Sequence, residues 1–163
     1  MRTITSRILA TVFLSVAVLT AGAVPARSAQ PPAPDIPVLT GIRTAAHPAF
    51  DRIVLDFSGP RPQVSSRFVD KLVRDGSGEP EELPGAAFAE VGMTPAQAHD
   101  FAGNSSYPGP RKFRTANLNN VTAVAITGDY EAHLLVGIGM RKQTWVNAFT
   151  LDAPTRVVID IGR

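Results

Sequence analysis

The chain of 163 residues contains no cysteine, and this absence excludes several kinds of structure at once. Without disulfides, the fold has to rest on packing alone. No residue is available to carry a bacterial lipid anchor, and a zinc site would lack thiolate ligands. Aromatic residues are also few, with one tryptophan, two tyrosines and eight phenylalanines.

Signatures of catalysis and of metal binding are missing as well. No Gly-x-Ser-x-Gly nucleophile motif occurs, and the histidines His47, His99 and His133 never have the i, i+4 spacing of a zinc helix. The segment Asp75–Glu79 alternates oxygen-bearing side chains as a calcium loop does, but position twelve of that loop would be Ala86. We therefore predict a hairpin or surface turn there, and no catalytic residue, metal or cofactor in the chain.

The N-terminus has the layout of a secretory signal peptide. Two arginines precede an uncharged run from Ile8 to Val24, which ends in small residues and a proline. We predict a signal peptide over residues 1–29, with cleavage after Ala26 or Ala29. A retained membrane anchor is the alternative, because the run approaches the length of the shortest spanning helices.

Removal of this leader leaves 134 of the 163 residues, which suits one domain and leaves no room for a second. Residues 30–37, QPPAPDIP, are typical of an extended, proline-rich linker. The predicted domain covers residues 38–163.

The net charge of the mature chain argues against nucleic acid as a partner. Three of the 16 basic residues lie in the leader, so 13 remain against 14 acidic residues. The charge is uneven: Asp35–Asp100 holds 6 basic and 10 acidic residues, whereas Phe101–Arg163 holds 7 and 4. An anionic ligand should therefore prefer the second half.

Short runs of alternating polar and apolar residues, separated by turn residues, predict an all-β, mainly antiparallel fold, a small β-sandwich. The predicted strands are Val38–Arg43, Phe50–Ser58, Val64–Val73, Ala86–Met93, Val121–Thr127, Ala132–Gly139, Trp145–Leu151 and Arg156–Ile161.

One short helix is also predicted. Thr94-Pro95-Ala96-Gln97 has a cap residue, a proline at the first helical position and a glutamine three residues after the cap. The helix should run from Pro95 to about Phe101. Ala102–Asn120 then has little periodicity, and so long a loop is usually functional or disordered.

The segment Arg52–Phe57 recurs at the end of the chain as Arg156–Ile161, each in the order basic, three apolar, acidic, apolar. In a strand, the alternate apolar residues of each segment share one face, which should face the core. As neighbours, the two strands should pair antiparallel, because a parallel register would place like charges side by side. The predicted partners are Arg52 and Asp160, Val54 and Val158, and Asp56 and Arg156.

The candidate ligand-binding residues lie in the long loop and combine positive charge with aromatic rings on a proline-stiffened segment. They are Tyr107, Arg111, Lys112, Phe113 and Arg114. Arginine and lysine bind carboxylates or phosphates, and the rings could pack on sugar faces. In the alternative interpretation, Tyr107 and Phe113 hold the loop on the sandwich and the charges are solvated.

The strand RIVLDF after a His-Pro-Ala-Phe-Asp turn, together with the closing TRVVIDI, resembles the AMIN domain. The chain from Thr40 to Gly162 is similar to the actinobacterial AMIN-like domain, through FDRIVLDFSGP, DGSGEP, MTPAQAHD, YPGPRKF and RVVIDI. The resemblance implies a β-sandwich that attaches envelope proteins to the cell wall, typically fused to a peptidoglycan amidase or an outer-membrane secretin. No fused domain is expected here, and the lipid-bearing cysteine common among relatives is missing.

These observations predict a secreted, non-catalytic module of the extracytoplasmic cell envelope. Its expected partner is peptidoglycan, another wall polymer or an envelope protein, and it would contact membrane only through an uncleaved leader. Two alternatives stay open: an exported protein-interaction domain without glycan affinity, and an enzyme whose site is assembled from scattered loops.

Overall fold

The computed structural model of the protein describes residues 35–163, and this range contains nine β-strands and no helix. The predicted signal peptide and the first part of the predicted linker lie outside the described residues. Within 35–163 no segment provides a helical membrane span.

Two antiparallel sheets form the fold. The four-stranded sheet has the order β1-β2-β9-β8, and the five-stranded sheet has the order β3-β4-β7-β6-β5. The strands are β1 (Val38–Ala46), β2 (Phe50–Ser58), β3 (Gln63–Val69), β4 (Ala87–Thr94), β5 (Lys112–Arg114), β6 (Val121–Tyr130), β7 (His133–Met140), β8 (Val146–Leu151) and β9 (Arg156–Gly162).

The core lies between the sheets and follows the two-residue period of the strands. Every second residue of β2 and β9 points inward and is almost fully buried, and β4 and β7 supply the opposing layer. The inward residues of these strands are Ile53, Leu55, Phe57, Val157, Ile159, Ile161, Ala89, Val91, Met93, Leu134, Val136, Ile138 and Met140. The predicted all-β sandwich is thus confirmed in its two antiparallel sheets.

The pairing predicted for the two similar segments is confirmed. β2 and β9 are neighbours and antiparallel, with Arg52 opposite Asp160 and Val54 opposite Val158. The alternation of apolar residues fixes this register, because a shift of one residue would turn every core side chain towards solvent.

The predicted helix from Pro95 to Phe101 is wrong. The segment is extended, with Ala96 and Ala98 buried in the core, and its backbone amides are used by other parts of the chain. Ala96 N donates to Ala132 O at 2.8 Å, and Gln97 N donates to Pro37 O at 3.0 Å. These tertiary hydrogen bonds and the burial of Ala96, Gln97 and Ala98 outweigh a local capping pattern.

The outer side of the five-stranded sheet is covered by residues 70–86, which connect β3 to β4. Leu72 and Leu83 pack there on Ala123 and Ala125. Residues Asp75–Glu79 form a turn, as predicted, in which Gly78 N donates to Arg74 O and Arg74 N donates to Glu79 O. This sheet is therefore covered on both faces.

Candidate functional site

The two aromatic residues of the predicted binding loop pack in or against the hydrophobic core. Tyr107 is only 8% exposed and belongs to the main core cluster, and Phe113 is half-buried against it. Tyr107 lies so close to Gly109 that a Cβ at that glycine would overlap its ring. Burial raises the pKa of Tyr107 above its ordinary value. These rings hold the loop in place and do not offer a flat surface to a ligand.

The basic residues of the loop are divided between two cavities, because Arg114 lines one together with Arg141 whereas Arg111 and Lys112 line another. Arg111 and Lys112 line a cleft of about 650 Å³ beside the Asp75–Glu79 turn. The Lys112 ammonium group donates to the Glu81 carboxylate, which also lies 3.4 Å from the Arg74 guanidinium. Much of the positive charge in the cleft is therefore compensated.

A different aromatic group lies on the outer face of the four-stranded sheet, the face that points away from the core. His47 stacks on Phe50 with ring centroids 4.6 Å apart, and Phe50 lies 6.3 Å from Trp145. Trp145 is 51% exposed. We call His47, Phe50 and Trp145 the aromatic row.

A glycine makes room for the Trp145 ring. Gly162 lies opposite Phe50 in the sheet, and its N–H donates to Trp145 O at 3.1 Å. A Cβ at Gly162 would lie 2.5 Å from Trp145 Nε1 and 2.9 Å from Cδ1, so the indole ring covers the glycine directly. The ring therefore lies along the sheet surface with one side open to solvent.

Polar side chains form the next row of the same face. Asp160 lies between Arg52 and Asn147 in the sheet. Arg52 Nε and Nη2 each donate to a carboxylate oxygen of Asp160 at 2.7 Å. The Arg52 guanidinium is also 5.0 Å from the centroid of the Phe50 ring. Aromatic surface and hydrogen-bonding groups are thus adjacent.

Buried polar residues fix the loop that carries Trp145. The carboxylate of Asp51, fully buried, accepts backbone N–H groups of Asn120 at 2.6 Å and Val121 at 3.0 Å. The Asn120 side-chain amide then donates to Lys142 O at 3.1 Å and Gly162 O at 2.7 Å. These hydrogen bonds hold both ends of residues 141–145, which carry Trp145. The aromatic row therefore loses little conformational freedom when a ligand binds.

A family model described as the AMIN-like domain matches residues 37–163. The chain belongs to the AMIN-like domain family. No curated protein and no solved structure gives a significant match to it. The family is associated with the cell wall, outside the cytoplasm.

Two histidines of this AMIN-like domain have polar partners within the fold, and His133 Nδ1 is 2.9 Å from Thr94 Oγ1. His99 Nδ1 is 2.9 Å from Asp129 Oδ2, and the same carboxylate accepts Ala98 N at 2.9 Å. Ser105 pairs with His99 in an isolated antiparallel β-bridge. Its hydroxyl donates to Tyr107 O at 2.8 Å and not to the His99 imidazole. Within residues 35–163 no three His, Asp or Glu side chains are grouped to hold a metal ion.

The aromatic row was not predicted from the sequence because Trp145 is about a hundred residues from His47 and Phe50. Two signals pointed to it. The chain's only tryptophan follows two basic residues in Arg141-Lys142-Gln143-Thr144-Trp145, the same combination of positive charge and aromatic ring that the Tyr107–Arg114 loop has. The predicted register of β2 and β9 also places Phe50 opposite Gly162.

Proposed function

We propose that this AMIN-like domain is a non-catalytic module of the cell envelope that binds wall glycan on the outer face of its four-stranded sheet. The observation that carries the proposal is the half-exposed Trp145, which lies over Gly162 in one row with Phe50 and His47. Family membership supports association with the wall.

The chemistry of this face suits a sugar polymer. The C–H faces of pyranose rings pack on flat aromatic side chains, and tryptophan supplies the largest such area at low entropic cost. Sugar hydroxyl and acetamido groups need donors and acceptors nearby. The exposed Asn147 amide provides both along the adjacent row, next to Arg52 and Asp160, which hold each other in place.

The proposal includes export, because wall glycan lies outside the cytoplasm. The leader predicted over residues 1–29 would deliver the domain there, and mass spectrometry of exported material tests it. Mature protein that begins near residue 27 or 30 supports cleavage. A chain that retains Met1 favours a membrane anchor.

Co-sedimentation with purified peptidoglycan tests the binding site. Wild-type protein should sediment with the wall, and Trp145→Ala should lose most of this binding. Phe101→Ala is the matched control, since Phe101 is a fully exposed aromatic residue outside the sheets. Its binding should equal that of wild type, and each melting temperature should confirm that the variant is folded.

The remaining outcomes separate the other functions. Wild-type protein that never sediments with the wall would favour a protein-interaction domain without glycan affinity. Release of soluble fragments from the wall during incubation would favour an enzyme. Equal loss in the Trp145 and Phe101 variants would indicate general adhesion of exposed aromatic residues and would overturn the proposed site.

A further inference from the structure

Beside the aromatic row, one end of the sandwich carries positive charge that nearby acidic groups do not balance. Arg114 and Arg141 line a cavity of about 450 Å³, and Arg141 and Lys142 line a second of about 350 Å³. Arg141 therefore connects the two. We call Arg114, Arg141 and Lys142 the basic end.

The surroundings of the basic end leave these charges without an acidic partner, and the one side-chain hydrogen bond of Arg141, from Nε to Asn119 O at 2.8 Å, leaves its other guanidinium N–H groups for a ligand. No acidic side chain lines either cavity, and within residues 35–163 none of the three side chains forms an ion pair. The nearby Asp51 carboxylate is fully buried and turned towards backbone amides. This contrasts with the cleft beside Arg111, where Glu81 holds Lys112.

The basic end is physically joined to the aromatic row. Residues 141–145 carry Arg141 and Lys142 at one end and Trp145 at the other. The Asn120 side chain binds carbonyl oxygens beside both, those of Lys142 and Gly162. A polymer lying on the aromatic row can therefore extend to the basic end.

We propose that the basic end binds oxyanion groups, phosphate or carboxylate, of an anionic wall polymer whose sugar lies on the aromatic row. This rests on the proposed function and deepens it by naming the charge of the ligand. Arginine guanidinium groups bind two oxyanion oxygens at once, and lysine adds a mobile point charge. Such exposed contacts weaken as salt increases.

The test uses the double variant Arg141→Gln/Lys142→Gln and a control with the same change in charge. Arg61→Gln/Lys71→Gln also removes one arginine and one lysine, both exposed and far in sequence from the basic end. Binding is measured to purified wall at low salt and at about 0.15 M salt, where screening extends over about 8 Å. A neutral N-acetylglucosamine tetramer, whose binding is measured by isothermal titration calorimetry, is the uncharged probe.

We expect the basic-end variant to bind wall about tenfold more weakly at low salt and to lose most of its salt dependence. Its affinity for the neutral tetramer should be unchanged, and the control variant should match wild type with both ligands. Unchanged wall binding by the folded basic-end variant, or an equal loss in the control, would overturn the proposal. Loss of tetramer binding in Trp145→Ala tests the proposed function separately, because that probe has no charge.

The source of the oxyanion is found by treating the wall. Hydrofluoric acid removes phosphodiester-linked polymers, and amidation neutralises the carboxylates. If the tenfold difference between wild type and variant disappears after the first treatment, the ligand group is phosphate. If it disappears after the second, the group is carboxylate. A difference that survives both treatments would contradict an oxyanion site.

Discussion

Arg52 on β2 and Asp160 on β9 are 108 residues apart in the chain and form a bidentate ion pair with both N–O distances at 2.7 Å. The second expected charge pair is arranged differently. Asp56 lies opposite Arg156 but accepts from Arg43 on β1, at 2.8 and 2.7 Å. Gly41 has no side chain to block this, since a Cβ there would lie 3.1 Å from the Asp56 carboxylate.

Arg52→Gln should lower the free energy of unfolding by about 1–3 kcal/mol, because the Asp160 carboxylate, 10% exposed, would lose its partner. Urea denaturation at neutral pH measures the loss. Arg43→Gln is the control, and its loss should be smaller because the Arg43 side chain is 61% exposed and water screens the pair. Equal losses in the two variants would show that burial of the carboxylate does not determine how much stability is lost.

Asp51 predicts a dependence of stability on pH. Burial alone would raise the pKa of its carboxyl, but backbone N–H groups of Val121, Asn120 and Asn119 outweigh burial and lower the pKa. A lowered folded-state pKa stabilises the protein above the unfolded value of about 3.9, and this contribution disappears as the pH falls through the folded value.

Asp51→Asn should therefore reduce the free energy of unfolding by about 1–3 kcal/mol at neutral pH. The gap to wild type should narrow as the pH falls below about 3.9, because wild type then loses the same charge. Denaturant unfolding from neutral to strongly acidic pH measures both curves. Parallel curves would mean that the Asp51 charge contributes nothing.

Gly162→Ala should displace the Trp145 ring, since the added Cβ would lie 2.5 Å from its Nε1. Trp145 is the only tryptophan, so protein fluorescence reports on this ring alone. We expect changed emission and weaker wall binding while the melting temperature stays near that of wild type. Gly92→Ala is the control, because the Cβ there meets only the movable Ser65 hydroxyl, at 3.1 Å, and the side chain of Leu135.

The basic residues of the Tyr107–Arg114 loop can be tested separately. Changing Arg111, Lys112 and Arg114 together to Ala should alter stability by no more than about 0.5 kcal/mol and weaken wall binding at low salt. Arg111→Ala/Lys112→Ala alone should retain most binding, because Glu81 already compensates Lys112 whereas Arg114 belongs to the basic end. If the pair loses as much as the triple variant, the cleft beside Arg111 is the binding site.

Substitutions in the turn between β6 and β7 should stabilise the folded protein. Glu131 and Ala132 adopt positive φ values of 47° and 59°, which suit asparagine and glycine in a two-residue hairpin. Glu131→Asn/Ala132→Gly should raise the free energy of unfolding by about 1 kcal/mol and the melting temperature by a few degrees. Gly103→Ala, at a φ of 83°, should have the opposite effect. A lower melting temperature for the turn variant would contradict this interpretation.

Eight of the nine strands within residues 35–163 could be predicted because alternation of apolar residues reflects burial on one face. The segment after Thr94 could not, because its capping pattern is local while Pro37, Asp129 and Ala132, which bind its amides, are distant in sequence. β5 was missed because a strand of three residues is too short to show a period.

The candidate site was harder to predict than the fold for the same reason. Tyr107 and Arg114 are near each other in sequence, yet one enters the core and the other joins Arg141 at the basic end. Phe50 and Trp145 meet only because β2, β9 and β8 are adjacent. Residues that share a surface through strand order cannot be grouped without knowing that order.

The glycines under the segment 70–86 have a consequence for how the domain can change during evolution. A Cβ at Gly137 would lie 2.9 Å from the Leu72 methyl groups, and one at Gly139 would overlap Pro84 O, so this side tolerates little substitution. Asn147 and Leu151, on the outer face of the other sheet, are exposed and do not belong to the core. New ligand preferences can therefore arise by substitutions on one face while the strands that define the fold are inherited unchanged.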